Sequence, residues 1–184
     1  AKLYKEALGN LKAWKGKGYK LSEHLEMDID AQLTKAREYA ESGDLDSAES
    51  IAHEVLAKAP DNINALFMLG TIANQQKKYP VSIEILVNVI NKAPGFLNAR
   101  INLGATLTEV GRFEDAIQQY QQVLEVDPDN YMALCNLGRV HFKQDSLDKA
   151  KEFLERSIAI NPEYWISSFN LGSVYAARHD HENA

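Results

Sequence analysis

One number, 34, constrains this chain more than anything in its composition. Leu-Gly pairs fall at 69–70, 103–104, 137–138 and 171–172, each 34 residues after the last. Pro60, Pro94, Pro128 and Pro162 keep the same spacing, and so do the small residues Ala48, Ser82, Ala116 and Ala150. Two independent markers in one period mean that a single supersecondary unit is repeated and stacked, each copy packing on its neighbours.

The unit is clearest over 97–128. Ile101, Leu103, Gly104 and Leu107 share one side of a first helix, Gly111-Arg112 is a turn, and Phe113, Ala116, Ile117, Tyr120, Val123 and Leu124 recur at helical spacing in a second. Asp127-Pro128 closes it, since proline cannot donate to the helix ladder. Neither amphipathic helix buries its apolar face alone, so neighbouring units must cover it. The other copies read the same way. Tyr39 and Ala36 face inward in a first unit, with a Gly43-Asp44 turn and Leu45, Ala48, Ile51, Ala52 and Val55 on its second helix. The second unit offers Leu66, Leu69, Gly70, Tyr79, Ile83, Leu86, Val87 and Ile90, with Tyr79-Pro80 placing proline where a helix start tolerates it. The fourth offers Leu134, Leu137, Gly138, Leu147, Ala150, Leu154 and Ile158, and the fifth Trp165, Leu171, Gly172 and Tyr175.

This pattern resembles the tetratricopeptide repeat family over about 29–184. The resemblance implies an all-α, right-handed solenoid of stacked antiparallel helix pairs, in repeats 29–62, 63–96, 97–130, 131–164 and a partial 165–184. Lys35-Ala36 stands where later units have Leu-Gly, which suits an exposed edge. The fifth unit stops near the start of its second helix, so the expectation is either a fragment of a longer protein or self-association through that end.

Residues 1–28 differ. Leu3, Tyr4, Ala7, Leu8, Leu11 and Trp14 form an apolar stripe, predicting a helix over 2–15 that Lys15-Gly16-Lys17-Gly18 ends. Residues 1–20 carry six lysines and Glu6, a net +5, against −11 for the remainder of a chain whose total is −6. Such a helix lies on an acidic partner or a membrane surface, or packs its Leu/Trp stripe on the first repeat or another chain.

Acidic overall charge argues against a general nucleic-acid binder, and no apolar run approaches the ~20 residues of a membrane span. The lone Cys135 forms no internal disulfide and fits a reducing compartment, so the localisation expected is cytoplasmic. No nucleophile elbow, His-Glu-x-x-His or Cys-x-x-Cys is present, and the reading is not an enzyme, with no cofactor and no metal. His179-Asp180-His181 has no third ligand and reads as a solvated inter-helix turn. His141 reads as packed, and Cys135 as a small apolar side chain.

What remains is surface. The resemblance implies that first helices line a concave groove. Its candidate partner-binding residues are Asn64, Phe67, Met68 and Thr71 in the second repeat, and Asn98, Ile101 and Asn102 in the third, with Thr108 and Glu109 beside them. The fourth adds Met132, Asn136, Arg139, Phe142 and Lys143, next to Cys135, and the fifth Ile166, Phe169, Asn170 and Ser173. Asn102, Asn136 and Asn170 each precede a Leu-Gly pair and make a column. An amide both donates and accepts, so the column suits the backbone of an extended peptide. Similar asparagine ladders hold peptides in the tetratricopeptide arm of O-linked N-acetylglucosamine transferases, although Asn-Leu-Gly also recurs in the family for packing alone. Some members clamp a terminal carboxylate with paired Lys and Asn. Here those slots hold Leu33 with Arg37, Phe67 with Thr71, Ile101 with Ala105 and Cys135 with Arg139, so that clamp is not reproduced. The function expected is a scaffold binding a protein or peptide in its groove. The alternatives are a recognition arm of a larger glycosyltransferase or sulfotransferase, and a self-assembling scaffold, a homo-oligomer joined through the N-terminal helix or the C-terminal end.

Overall fold

The computed structural model describes the backbone of residues 23–183 and the side chains of 27–179, so the basic helix expected over 2–15 lies outside the described residues. The described residues form nine helices and no strand: α1 Glu23–Ser42, α2 Leu45–Lys58, α3 Ile63–Gln75, α4 Tyr79–Lys92, α5 Leu97–Glu109, α6 Phe113–Val126, α7 Tyr131–Lys143, α8 Leu147–Ile160 and α9 Trp165–Asn183. They belong to two compact units, one up to Phe96 and one from Leu97. The first holds hairpins α1/α2 and α3/α4. The second holds α5/α6 and α7/α8, with α9 packed on α8 and α7.

Each hairpin turns on one residue at positive φ: Gly43 (88°), Lys77 (59°), Gly111 (77°) and Asp145 (59°), again 34 apart. The next residue's N–H reaches back five positions to the first helix: Asp44 to Tyr39 O (2.9 Å), Lys78 to Ala73 O (2.8 Å), Arg112 to Leu107 O (2.9 Å) and Ser146 to His141 O (2.8 Å). This left-handed closure satisfies carbonyls that a helix end leaves open. Only the two glycines reach that conformation without steric cost. Two of the loops between hairpins use side-chain caps. Asn62 accepts from Ala65 N (2.9 Å) and Asn130 from Ala133 N (3.0 Å), each starting the next first helix.

Within a hairpin the two helices meet at a fixed couple 16 residues apart. A methyl group on Gly104 would sit 2.7 Å from the Tyr120 ring, one on Gly70 2.9 Å from Leu86, and one on Gly138 2.5 Å from Leu154. Glycine is therefore the knob-hole into which a large second-helix side chain drops. The first hairpin solves the problem the other way: Ala36 stands in the glycine slot and Ala52 in the large one, both fully buried. Nearby slots show the same coordinated exchange. Ser82 replaces the usual alanine and donates to Gly70 O (2.8 Å). Ser157 occupies the slot of Val55, Val89 and Val123, and Ser167 that of Ala65, Ala99 and Ala133. The two hydroxyls pair at 2.7 Å, and Ser157 also reaches Tyr131 O. A buried hydroxyl needs such a partner.

Two expectations are corrected. Val87 is 40 % exposed, and Ile85 and Val89 take the core positions of α4 instead. The turn expected at 179–181 does not form: α9 continues to Asn183. In the hairpins a second helix packs back and holds the turn residue at positive φ. No such helix follows α9 among the described residues, and the α-helix simply propagates through His179. Trp165 (68 %) and Phe169 (65 %) are exposed on α9, and Gly172 has nothing within 4 Å of a would-be methyl.

Candidate functional site

The candidate residues sit on first helices, one set in each unit. In the first unit all four lie on α3. Asn64 is exposed, Met68 is half-buried, and Thr71 donates to Phe67 O (3.0 Å). Phe67 packs edge-on against Phe96, ring centroids 4.9 Å apart.

The second unit brings more of them together. Here α7 touches α5 on one side and α9 on the other. Asn102, Asn136 and Asn170 occupy equivalent, half-buried positions on α5, α7 and α9. Asn136 Nδ2 donates to Met132 O (2.9 Å), one turn back on its own helix, and Asn170 Nδ2 to Cys135 Sγ (3.5 Å) on α7. One N–H of each of these two amides is thus used to hold the side chain in place, while its oxygen remains an acceptor. Asn98 is exposed at the start of α5.

Several expected groove residues turn inward. Ile101 is only 6 % exposed and Cys135 only 2 %. Both lie three positions before the glycine, a slot also buried at Leu33, because it faces the adjoining hairpin rather than the open side. Thr108 is buried too, its hydroxyl donating to Gly104 O (2.8 Å). Phe142 and Ile166 are half-buried against the cluster of Cys135, Ala150, Leu154 and Val174. Phe169 is exposed and stands edge-on to Trp165 at 6.2 Å, and Ser173 donates to Phe169 O (3.2 Å).

Charge is arranged across α5 and α7. Arg139 Nη1 lies 3.6 Å from Glu109 Oε1, and Lys143 Nζ 3.5 Å from Glu109 Oε2. The positive charges expected to await a partner therefore already face a carboxylate. Beneath them Tyr120 is wholly buried, and burial pushes its phenol up to about 12, although Thr108 and Arg139 nearby pull it back. Neither Tyr120 Oη nor Arg139 Nε makes a hydrogen bond of normal geometry with a protein atom. Sequence reasoning missed this pairing, since the cue, a tyrosine where two sister hairpins have leucine and the first has alanine, is visible only once the couples are aligned. His141 stacks on Phe153 at 5.4 Å, as a packed histidine should.

Family profiles described as tetratricopeptide repeat match residues 33–93 and 131–164, and one described as TPR repeat matches 104–145. The chain belongs to the tetratricopeptide repeat family. No curated protein sequence matches it. Among solved structures, it is similar to a thermophilic TPR protein of Thermus thermophilus (TM-score 0.75, 19 % identity, 82 % of each chain covered). It is also similar to YrrB, described as a TPR protein with an unusual peptide-binding site (TM-score 0.63, 22 % identity, 77 % of this chain and 73 % of that one). A third similar structure is the O-GlcNAc transferase of Thermobaculum terrenum (TM-score 0.70, 26 % identity). There 76 % of this chain matches, but only 27 % of the enzyme. Among the described residues, this tetratricopeptide repeat chain has no helix long and apolar enough to cross a membrane.

Proposed function

We propose that this chain is a non-catalytic interaction module that holds an extended protein segment along its first-helix face. In this reading 29–184 is the repeat array and 1–28 a separate basic segment. The observation that carries it is the column Asn102, Asn136, Asn170: three amides, one repeat apart, with Asn136 and Asn170 steadied by their own neighbours. Repeating amides match the repeating N–H and C=O groups of a peptide, whatever its side chains. Within the same unit, Asn98, Met132, Phe169 and Ser173 add polar and apolar contact beside the column; in the first unit Asn64, Phe67, Met68 and Thr71 offer a like set on α3, and aromatic and Met residues are enriched where partners are gripped. The similarity to a peptide-binding TPR protein supports the same reading.

The test is peptide selection from a random display library on the 184-residue chain. The affinity of a selected peptide is then compared between wild type and Asn102→Ala/Asn136→Ala. Losing one net hydrogen bond of about 0.5–1.5 kcal/mol at each site weakens binding by roughly 5- to 150-fold. Circular dichroism should be unchanged. Wild-type affinity in the double variant would sink the ladder.

A second reading is favoured by one observation. The chain resembles about a quarter of a glycosyltransferase, which would make it the substrate-recognition arm of a larger enzyme. The two differ in what adjoins the chain, not in how the face works.

A further inference from the structure

The seam that closes each hairpin of the second unit recurs on α9, where it lies open. In α5 and α7 the side turned to the second helix is carried by offsets 0, 3, 7 and 10 from the helix start. Tyr131 O accepts from Ser157 (2.7 Å), Arg100 donates to Gln122 (2.6 Å), Gly104 and Gly138 receive Tyr120 and Leu154, and His141 stacks on Phe153. On α9 the same offsets hold Trp165, Ser168, Gly172 and Tyr175, and all four are exposed. Tyr175 reaches Glu155 (3.5 Å) on α8, which belongs to the preceding hairpin. No second helix follows α9 among the described residues, and no described atom lies within 4 Å of a would-be methyl on Gly172. The face is therefore shaped for a second helix and carries an open notch at its centre.

Second helices carry a signature of their own at those offsets. α6 has Phe113, Ala116, Tyr120 and Val123, and α8 has Leu147, Ala150, Leu154 and Ser157. The third member of each set is the one that fills the glycine. The basic segment repeats the signature as Tyr4, Ala7, Leu11 and Trp14. Tyr4 stands seven residues ahead of where the period of 34 would start a second helix, so the period assigns this segment no first helix. Its charge also suits α9. Residues 1–20 carry a net +5, while residues 97–184 hold thirteen Asp and Glu against eight Lys and Arg. Opposite charge of this size draws two surfaces together and orients them before they touch.

We propose that the open seam of α9 takes the Tyr4–Trp14 segment of a second copy of this chain as its second helix. Leu11 drops onto Gly172 as Leu154 drops onto Gly138, and Trp14 lies at Trp165 as Ser157 lies at Tyr131. Trp14 is larger than the Val or Ser of the array, and its bulk covers the exposed Trp165 ring. A first helix cannot bury its apolar face alone, and the borrowed helix buries it. Donor and acceptor are different surfaces of one chain, so copies join head to tail rather than about a two-fold axis. The contact is independent of the peptide-holding reading, since none of the column asparagines occupies a seam position.

The experiment is sedimentation velocity on the full 184-residue chain from about 1 to 100 µM, a range that reveals weak interfaces. Wild type should gain mass as concentration rises. Leu11→Glu sets a charge against the apolar seam, and Gly172→Leu fills the notch. Each variant alone should stay a monomer throughout. Circular dichroism should be unchanged, because Gly172 is unobstructed in the free chain. Mixed in equal amounts, the two variants should form a heterodimer and nothing larger: one retains an intact segment, the other an intact seam. The Asn102→Ala/Asn136→Ala chain should associate like wild type. A wild type that remains a monomer, a mixture that remains monomeric, or either single variant associating like wild type would overturn the proposal. Association of Leu11→Glu alone would show that another surface, such as α9 of the second copy, covers the seam.

Discussion

Replacing Gly138 by alanine should destabilise the chain, and the same replacement should stabilise it once Leu154 is also alanine. A Cβ at 138 would lie 2.5 Å from Leu154 Cγ and 2.9 Å from its Cδ2, with Ala150 O at 3.1 Å. Leu154 is fully buried and has no room to retreat. Overpacking of this kind costs about 1–3 kcal/mol. Alanine's better helix propensity returns about 1 kcal/mol, leaving a net loss of up to about 2 kcal/mol. Leu154→Ala alone removes a buried leucine and costs about 2–5 kcal/mol. In that background the clash with the leucine is gone and only Ala150 O, at 3.1 Å, has to give slightly, so Gly138→Ala should gain up to about 1 kcal/mol. The two changes together recreate the Ala36/Ala52 couple of the first hairpin. The coupling energy between the sites is thus about 2 kcal/mol. Urea titration of the four proteins, followed by far-ultraviolet circular dichroism with slopes compared, measures it. Gly172→Ala is the control: nothing lies within 4 Å, so it should gain about 0.5–1 kcal/mol. If Gly138→Ala shifts the midpoint equally with and without Leu154, the close approach does not set the seam and the reasoning fails.

Three further outcomes follow from geometry already described. Lys77→Gly relieves a left-handed lysine (φ 59°) in a slot held by glycine at 43 and 111, and should raise stability by about 0.5–1 kcal/mol in the same urea assay. Tyr120→Phe deletes a buried hydroxyl with no well-formed hydrogen bond and should be neutral or stabilising by up to about 1 kcal/mol; a clear loss would show that Oη is bonded after all. For His141, burial and then Lys149 hold the pKa below its ordinary value of 6.5, with Glu152 opposing. The unfolded chain therefore takes up the proton first, and stability falls as pH drops from about 7 through that value. His141→Leu, matching Leu107 in the sister hairpin, should flatten that fall, measured as thermal midpoint between pH 7.5 and 5; His53, also depressed by burial, keeps a remainder.

The helices were legible because 34 is an unusually rigid signal: Leu-Gly, proline and alanine fall in phase, and turns at Gly43 and Gly111 announce themselves. The turns at Lys77 and Asp145 declare themselves by phase: lysine disfavours positive φ, and aspartate tolerates it without announcing it as glycine does. Side-chain direction was less legible. A helix such as α7 is covered by hairpins on both sides, so its buried arc is wide, and Cys135, like Ile101 in the same slot of α5, disappears into it although a single amphipathic stripe would leave both outside. In α4 an apolar run, Ile85-Leu86-Val87, offers the period no contrast, so the pattern points to Val87 where the structure buries Val89. The column Asn102, Asn136, Asn170 could be placed from spacing alone. That Glu109 would already sit between Arg139 and Lys143 could not, because it depends on how α5 and α7 stack.

The couples 16 residues apart also limit where such a gene can recombine. A crossover in the loop carrying Pro60, Pro94 or Pro128 moves each glycine together with its filler, and the offspring inherit matched seams. A crossover at the left-handed turn separates them: α1 followed by α6 would drive Tyr120 into Ala36, while α3 followed by α2 would leave a hollow over Gly70 where Ala52 is too short. Duplication and shuffling of chains like this one should therefore leave scars between hairpins and spare their bends.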